Sequence, residues 1–412
     1  MNNNSFSLSR TVTWAIWIVA SVFYAYQYVL RVMPNILLND IMQQFHIDAA
    51  AFSQFSGVYY IGYSLVHLPV GILLDRYGPK RIMSGCIFLT VLGLLPLLFA
   101  TQWVYPVLGR CLIGVGSSAA ILSVFKIIRM AFKEEQFPRL LSFSVMIGLI
   151  GAIYGGGPVN YLLHQFGYKA VIYLFVFLGI ALALLSYWIT PHMTSAPTTS
   201  VISNVKEIIK NPKVVLSCLF AGFMVGPLEG FADVWGTVFL KQLHHIDGNL
   251  AASLPSVIFI GMCFGSPILN FIAEKTKSYP LTIIGAAIVM IMSFAGLLMG
   301  QLSSTSITIL FSMIGVCCAY QILAIYKAST YVREEISGLT TAIANMIIVI
   351  FGYVFHTTIG NIVHAAGGPN NPSALFYGVM VVPIGLCVGA VGFILLSFYT
   401  KKQKSPLNTD AV

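Results

Sequence analysis

The chain has 412 residues, of which 58% are hydrophobic and only 8% are charged, and its mean hydropathy is +0.86. Soluble domains are only about half apolar, so this composition excludes an ordinary soluble protein and predicts one embedded in a membrane. The formal charge of +9 does not indicate a nucleic-acid partner, because the basic residues are concentrated in a few loops between apolar segments.

Twelve apolar segments are each long enough to cross a bilayer as a helix, which takes about 20 residues. We refer to them as spans 1 to 12, with approximate bounds 12–35, 52–74, 82–101, 105–131, 140–163, 169–190, 214–240, 251–273, 280–301, 305–331, 338–364 and 373–399. The first segment lacks a small-residue cleavage site, so we expect an uncleaved helix. The seven cysteines fall inside spans, where a thiol behaves as a small apolar group, and we predict no disulfide, metal or cofactor.

Basic residues alternate between successive loops. With the N-terminus inside, the inner loops and tails hold most of them, whereas the outer loops hold two, Lys169 and Lys241. The positive-inside rule then predicts both termini in the cytoplasm. We expect a multi-pass protein of the bacterial cytoplasmic (inner) membrane, with anionic lipids as neighbours of the basic loops.

The longest polar connection follows span 6 and divides the spans six and six. Charged signatures repeat at an offset near 200 residues: Asp75-Arg76 corresponds to Glu274-Lys275, and Lys126 with Glu134-Glu135 corresponds to Lys327 with Glu334-Glu335. Such repeats are typical of transporters built from two related halves. The expected units are an N-terminal six-helix bundle (1–191), a linker (192–213), a C-terminal six-helix bundle (214–400) and a tail (401–412).

The short inner loop after span 2 has an unusual density of charge. Its pattern is Gly, three residues, Asp-Arg, one residue, Gly and then basic residues, and it is formed by Gly71, Asp75, Arg76, Gly78, Lys80 and Arg81. Span 4 begins with Arg110-x3-Gly114-Val-Gly116. Together with the twelve spans, these two motifs resemble the major facilitator superfamily over essentially the whole chain.

The resemblance implies an all-α integral membrane protein with two pseudo-symmetric six-helix bundles that rock about a midplane cavity. It implies a secondary transporter, which we expect to be a monomer and not an enzyme. The loop residues with Arg110 and Arg129 would then gate the cytoplasmic side. Asp75 needs a partner, and the candidates are a helix N-terminus, an arginine such as Arg129 or Arg139, or the start of span 11 near Ser337 and Gly338.

Ionisable residues inside spans are expensive and therefore indicate function. They are Arg31, His67, Lys126, Glu229, Asp233 and Lys327. The alternative for Lys126 and Lys327 is a side chain that reaches the interface, and for His67 it is a hydrogen bond to a backbone carbonyl.

Span 1 carries Tyr24, Gln27, Tyr28 and Arg31 at spacings of three and four, which places them on one helical face. Glu229 and Asp233 are also four apart, in span 7, with Gly226-Pro227 and Gly230 loosening the backbone around them. Two neighbouring carboxylates in a low dielectric favour a proton on one of them. The pair is predicted to be a proton site, and the alternative is a structural ion pair with Arg31 or Lys327.

Span 1 and the loop after span 2 also resemble the organophosphate:phosphate antiporter branch, in which Arg31 would bind phosphate and His67 would take the place of a basic residue. The second phosphate-binding arginine of that branch is replaced here by Glu229, six residues before Trp235. The span-5 histidine is also missing, since Ala152 and Tyr154 precede the glycine-rich turn. An arginine facing a glutamate does not suit a phosphate dianion, so we do not assign that substrate.

These patterns predict a proton-coupled transporter of a small polar metabolite, most simply a zwitterionic amino acid or short peptide. Its substrate would contact Arg31, Tyr24, Gln27, Tyr28, Glu229, Trp235 and Lys327, and its protons Glu229, Asp233 and His67. Open alternatives are an organic anion or carboxylate (siderophores included), a multidrug exporter, and a transporter-like sensor. Scattered histidines and the lack of a phosphate-binding loop disfavour a membrane enzyme or an ATP-driven pump.

Overall fold

The computed structural model describes residues 9–133, 136–192, 201–333 and 336–402. The repeated acidic pairs 134–135 and 334–335, linker residues 193–200 and tail residues 403–412 lie outside these ranges. Ten stretches of the described chain are long and apolar enough to cross a membrane. Two of them, Ala49–Phe99 and Arg139–Ile189, have 51 residues each, which is enough for two crossings. The predicted twelve spans are therefore consistent with the helices found.

The first six spans contain these helices: Arg10–Val32 (span 1), Pro34–Phe45, Ala49–Leu94 (spans 2 and 3), Pro96–Phe99, Val104–Ser117 and Ala119–Ala131 (span 4), Phe137–Gly155 (span 5) and Gly157–Ile189 (the end of span 5 and span 6). The predicted loop between spans 2 and 3 is reduced to one residue, Gly78, with φ of 77°. Only glycine adopts this conformation without strain, and Pro79 then starts the next helix, where its missing N–H costs nothing. Gly167, with φ of 79°, divides spans 5 and 6 in the same way.

The second six spans follow a linker helix, Val201–Lys210. Their helices are Pro212–Gly222, a π-helix Gly226–Trp235 and Gly236–Leu243 (span 7), Gly248–Ser253 and Ser256–Thr276 (span 8), Tyr279–Leu298 (span 9), Ser304–Cys318 and Tyr320–Ser329 (span 10), Ser337–Ala365 (span 11), and Pro372–Val379 and Val381–Lys402 (span 12). The linker helix is fastened to this half, because Arg333 donates two hydrogen bonds to Glu207, of 3.1 and 2.8 Å.

The halves meet along a seam between spans 2 and 11. Asp48 caps the start of span 2 and lies 3.5 Å from His364 at the end of span 11. One turn further in, Ser53 packs directly against Gly360. Across the molecule, Asn160 donates a 3.0 Å hydrogen bond to Asn249 of the second half. We call this side of the molecule the Asp48 end, and the two halves close it.

The opposite side, which we call the Asp75 end, contains the loop around Gly78. Asp75 forms an ion pair with Lys126 Nζ at 2.7 Å, within its own half. This partner differs from those expected from the sequence, which were a helix N-terminus, Arg129, Arg139 or the start of span 11. A Cβ at Gly338 would meet no atom within 4 Å, so that site on span 11 is not packed against the loop. Among described residues, every side-chain hydrogen bond and ion pair between the halves lies from the Asp48 end to the level of Arg31.

Candidate functional site

Span 7 is distorted where it carries its two acids. Residues Gly226–Trp235 form a π-helix, a rare form that is common at functional sites. Pro227 has no N–H to donate to the preceding turn, and Gly226 and Gly230 let this segment pack closely on Phe355 of span 11. The wide turns direct the side chains of Glu229 and Asp233 toward span 1.

Arg31 of span 1 binds both acids. Its terminal nitrogen Nη2 pairs with Glu229 Oε2, and its Nε pairs with Asp233 Oδ2 at 2.6 Å. The three residues are 7%, 2% and 1% exposed. We call them the charge cluster, and it joins the two halves. A buried charge is tolerated only when it is paired and hydrogen-bonded, so the cluster satisfies its members only while the halves stay together at this level.

Two tyrosine rings enclose the guanidinium. Arg31 lies 5.2 Å from the centre of the Tyr28 ring and 5.3 Å from that of Tyr60, within the range of cation–π attraction. The Tyr60 hydroxyl donates a hydrogen bond to Asp233 Oδ2. Asp233 Oδ2 therefore accepts two hydrogen bonds, both from the first half. Tyr60 was not predicted from the sequence, since a tyrosine within an apolar span gives no signal of its own.

Arg110 is buried beside the cluster. It donates hydrogen bonds to the carbonyls of Leu30 (2.6 Å) and Arg31 (2.9 Å), and its guanidinium lies 4.9 Å from the Tyr59 ring. The Leu30 carbonyl would ordinarily accept from residue 34, which is a proline without an N–H. Arg110 replaces that hydrogen bond. Arg110 therefore holds the end of span 1 that carries Arg31, and the gating role expected from its motif stays a prediction.

The glycines of the span 4 motif, Gly114 and Gly116, allow span 4 to lie close to spans 2 and 3. Gly114 packs on the backbone carbonyl of Tyr59 in span 2, and Gly116 packs on that of Cys86 in span 3. A side chain at either position would separate these helices, since even one Cβ would overlap the facing backbone. The motif therefore brings span 4, and Arg110 with it, against spans 2 and 3.

The predicted polar face of span 1 points into the protein. Tyr24 packs edge-on against Tyr28 with ring centres 5.2 Å apart, and Gln27 Oε1 accepts a 2.7 Å hydrogen bond from Tyr59. Gln27 is buried and Tyr24 partly buried. These residues connect the cluster with spans 2 and 5, because Tyr24 also fills the space left by Gly148.

The remaining predicted substrate and proton residues are Trp235, Lys327 and His67. Trp235 is fully buried at the end of the π-helix. Lys327 lies 4.8 Å from the ring of Tyr331, toward the end of span 10. His67 stacks on Tyr63 at 5.1 Å, and it is seven residues, about 10 Å, further along span 2 than Tyr60.

The predicted gating residues lie at the Asp75 end. Gly71 faces Leu122 of span 4. The basic residues lie over aromatic rings: Arg76 over Tyr77, Lys80 over Tyr187 and Arg129 over Phe137, at 5.3, 4.8 and 5.3 Å. Arg81 is exposed. None of these contacts crosses between the halves.

The chain is similar in sequence to known proteins. The chain is 26% identical over 295 residues to protein spinster homolog 1 of Xenopus tropicalis, covering 65% of this chain and 55% of that protein, so it spans about half of that relative's length. It is 22% identical over 427 residues to the probable galactarate/D-glucarate transporter GudP of Escherichia coli (strain K12), covering 88% of this chain and 89% of that protein.

Among solved structures, the chain resembles a bacterial homolog of the human lysosomal transporter spinster in an inward-facing, unoccupied conformation. The TM-score is 0.75 with 16% identity, over 96% of this chain and 99% of that chain, which supports the fold alone. The family model of the Major Facilitator Superfamily matches residues 16–355. The twelve-span, all-α architecture and the resemblance expected from the loop motifs are confirmed, and the chain, a multi-pass membrane protein, belongs to the Major Facilitator Superfamily.

Proposed function

We propose that this protein is a proton-coupled secondary transporter of a zwitterionic metabolite, an amino acid or short peptide. The observation that carries the proposal is the charge cluster. A buried cation of one half is paired with two buried carboxylates of the other, at the level where a transporter of this fold binds its cargo.

In alternating access, a transporter is closed on one side of the membrane while it is open on the other, and here the seam closes one side. We take 1–191 and 214–400 as the rocking halves, with the linker and both termini in the cytoplasm of a bacterial cell, as the basic loops predict. The Asp75 end then faces the cytoplasm, and a seam closed at the Asp48 end corresponds to an inward-facing arrangement. The cluster forms the innermost part of the closed seam.

The balance of charge favours a zwitterion. Arg31 pairs with Glu229 and Asp233, and Arg110 is buried beside the cluster with hydrogen bonds to the carbonyls of Leu30 and Arg31, so the four groups are neutral together when all are ionised. A substrate carboxylate that takes Arg31 frees a buried carboxylate, and a substrate ammonium can pair with it. The exchange replaces one set of ion pairs by another and leaves no buried charge without a partner, which would be costly.

A carboxylate without an ammonium group is the second candidate, and the similarity to GudP over most of the chain favours it. Such an anion would bring net negative charge into the cluster. It would be neutralised by a proton on Glu229 or Asp233. The two candidates therefore differ in proton uptake.

Ligand classes can be separated by a thermal-shift screen of amino acids, short peptides and organic acids, since a ligand that binds the native state raises its apparent stability. Calorimetry of any hit in two buffers of different ionisation enthalpy then gives the protons taken up on binding. We expect close to none on binding of a zwitterion, whose coupling proton would be carried on Glu229 or Asp233 in a separate step of the cycle, and about one on binding of a simple carboxylate. Arg31→Gln should abolish binding, whereas Arg10→Gln, at the exposed start of the same helix, should not.

Binding that persists in Arg31→Gln would refute the proposal, and so would hits confined to uncharged apolar compounds. Uptake into proteoliposomes with and without a pH gradient tests coupling. A ligand that binds but is not accumulated would identify a sensor in place of a transporter.

A further inference from the structure

Tyr60 of the first half contacts two elements of the second half, the π-helix of span 7 and span 11. It is 1% exposed and lies on span 2, twelve residues from Asp48, or about 18 Å along the helix. Its hydroxyl hydrogen bonds to Asp233 and lies 3.4 Å from the carbonyl oxygen of Glu229, so its polar end belongs to the charge cluster.

The ring of Tyr60 belongs to the seam. It stacks on His356 of span 11, with ring centres 5.4 Å apart and planes at 26°. Across the ring, span 11 has Gly352, where a Cβ would come within 2.8 Å of the ring atoms. The ring therefore fits the space between the two helices only because residue 352 has no side chain, and the ring cannot shift toward span 11 without displacing that helix.

We propose that Tyr60 is the positioning residue that connects the charge cluster to closure of the seam. While Asp233 holds the hydroxyl, the ring is fixed against Gly352 and His356 and the Asp48 end stays shut. When Asp233 changes partner, the hydroxyl loses its acceptor and the ring is released. The connection to transport rests on the proposed function, because that function lets a buried carboxylate of the cluster, here Asp233, change partner. The contact of Tyr60 with Asp233 and span 11, which we call the tie, does not depend on which substrate is carried.

The tie can be measured without a substrate. Ser53 is fully buried in the seam, so the rate at which Ser53→Cys reacts with an impermeant maleimide, in lipid nanodiscs, reports opening of the Asp48 end. The parent chain, without the added cysteine, corrects for the seven native cysteines. Tyr60→Phe keeps the ring and removes the hydroxyl. We expect it to raise the labelling rate about tenfold, since a hydrogen bond to an ionised group is worth at least such a factor in an equilibrium.

Tyr320→Phe is the matched control. Tyr320 is equally buried, but its hydroxyl donates to the Ala221 carbonyl within its own half, so its removal should leave labelling unchanged. Asp233→Asn should raise labelling by itself. If the tie is direct, Tyr60→Phe should then add less than it does in the parent, because Asp233→Asn has already replaced the charged acceptor of the same hydrogen bond by a neutral one.

A labelling rate in Tyr60→Phe equal to that of the Ser53→Cys parent would overturn the proposal. So would effects of Tyr60→Phe and Asp233→Asn that multiply, which would indicate independent packing roles. Should Tyr60→Phe fail to fold, Gly352→Ala tests the same contact from the other side. It should raise labelling by displacing the ring, and an unchanged rate would again refute the tie. Failure of substrate uptake with these labelling results intact would count against the proposed function and not against the tie.

Discussion

Replacing Arg31 by glutamine should destabilise the whole protein, because it removes the cation from a cluster that is almost completely buried. Glu229 and Asp233 would be left 2% and 1% exposed with no ion pair to Arg31. Removing one partner of a buried ion pair costs about 3–5 kcal/mol. At roughly 2 °C per kcal/mol for a chain of this size, the melting temperature should fall by roughly 6–10 °C.

The fall in melting temperature should come from the two buried carboxylates left without a cation, and not from lost packing contacts. A variant that also removes both carboxylate charges tests this distinction. In Arg31→Gln combined with Glu229→Gln and Asp233→Asn, the three side chains are neutral amides that can hydrogen bond to one another. Replacing all members of a buried ionic network together is often close to neutral, so this triple variant should recover more than half of the lost melting temperature.

Intrinsic tryptophan fluorescence during heating, in one detergent and at one protein concentration, measures these changes. Arg10→Gln is the control, since an exposed substitution should change stability by no more than about 0.5 kcal/mol. The reasoning fails if Arg31→Gln melts within a degree of the parent, or if the triple variant melts as low as Arg31→Gln alone.

Two further predictions concern hydrogen bonds outside the cluster. Arg110→Gln should lower the free energy of unfolding by about 1–3 kcal/mol, because it leaves the Leu30 carbonyl without a donor. The loss should be clearly smaller in a Pro34→Ala background, which restores the backbone N–H at residue 34. Thermal melts of the parent, the two single variants and the double variant measure these losses, and losses that simply add would contradict this prediction. In the linker, hydrogen bonds from Arg333 lower the pKa of Glu207. Because the folded pKa is depressed, this pair stabilises the linker helix above the ordinary carboxyl pKa of about 4.3 and loses its effect as the pH falls through the depressed pKa. Limited proteolysis with an acid-active protease should then cleave the linker faster as pH falls, while Glu207→Gln should be cleaved faster than the parent only above the depressed pKa and at the same rate below it.

The sequence predicts the spans and the members of the charge cluster well, because a charge in an apolar segment stands out against its neighbours. The number of crossings, the family and the choice of Arg31, Glu229 and Asp233 all came from this contrast. Their direct contact was one of two alternatives, since spacing along a helix tells which face a residue is on but not which face of another helix it meets.

Other features depended on packing between distant segments. Tyr60 becomes important only because span 11 has a glycine opposite its ring. Arg110 was recognised as part of a motif, but its hydrogen bond to Leu30 follows from Pro34 in another helix. Asp75 was expected to need a partner, and the one it has, Lys126 of span 4, was not among the candidates because only the packing of span 2 against span 4 brings the two side chains together.

The π-helix of span 7 stores one extra residue per wide turn. An α-helix turns by about 100° per residue, so tightening one such turn to α geometry would rotate the segment on one side of it by about that angle while the other side stayed in place. Glu229 and Asp233 lie four residues apart within this segment. Residues four apart share one face in α geometry as well, so a turn tightened on one side of the pair would rotate both carboxylates away from Arg31 together. Tightening of the π-helix would thus release both acids from span 1 without shifting span 7 along its axis.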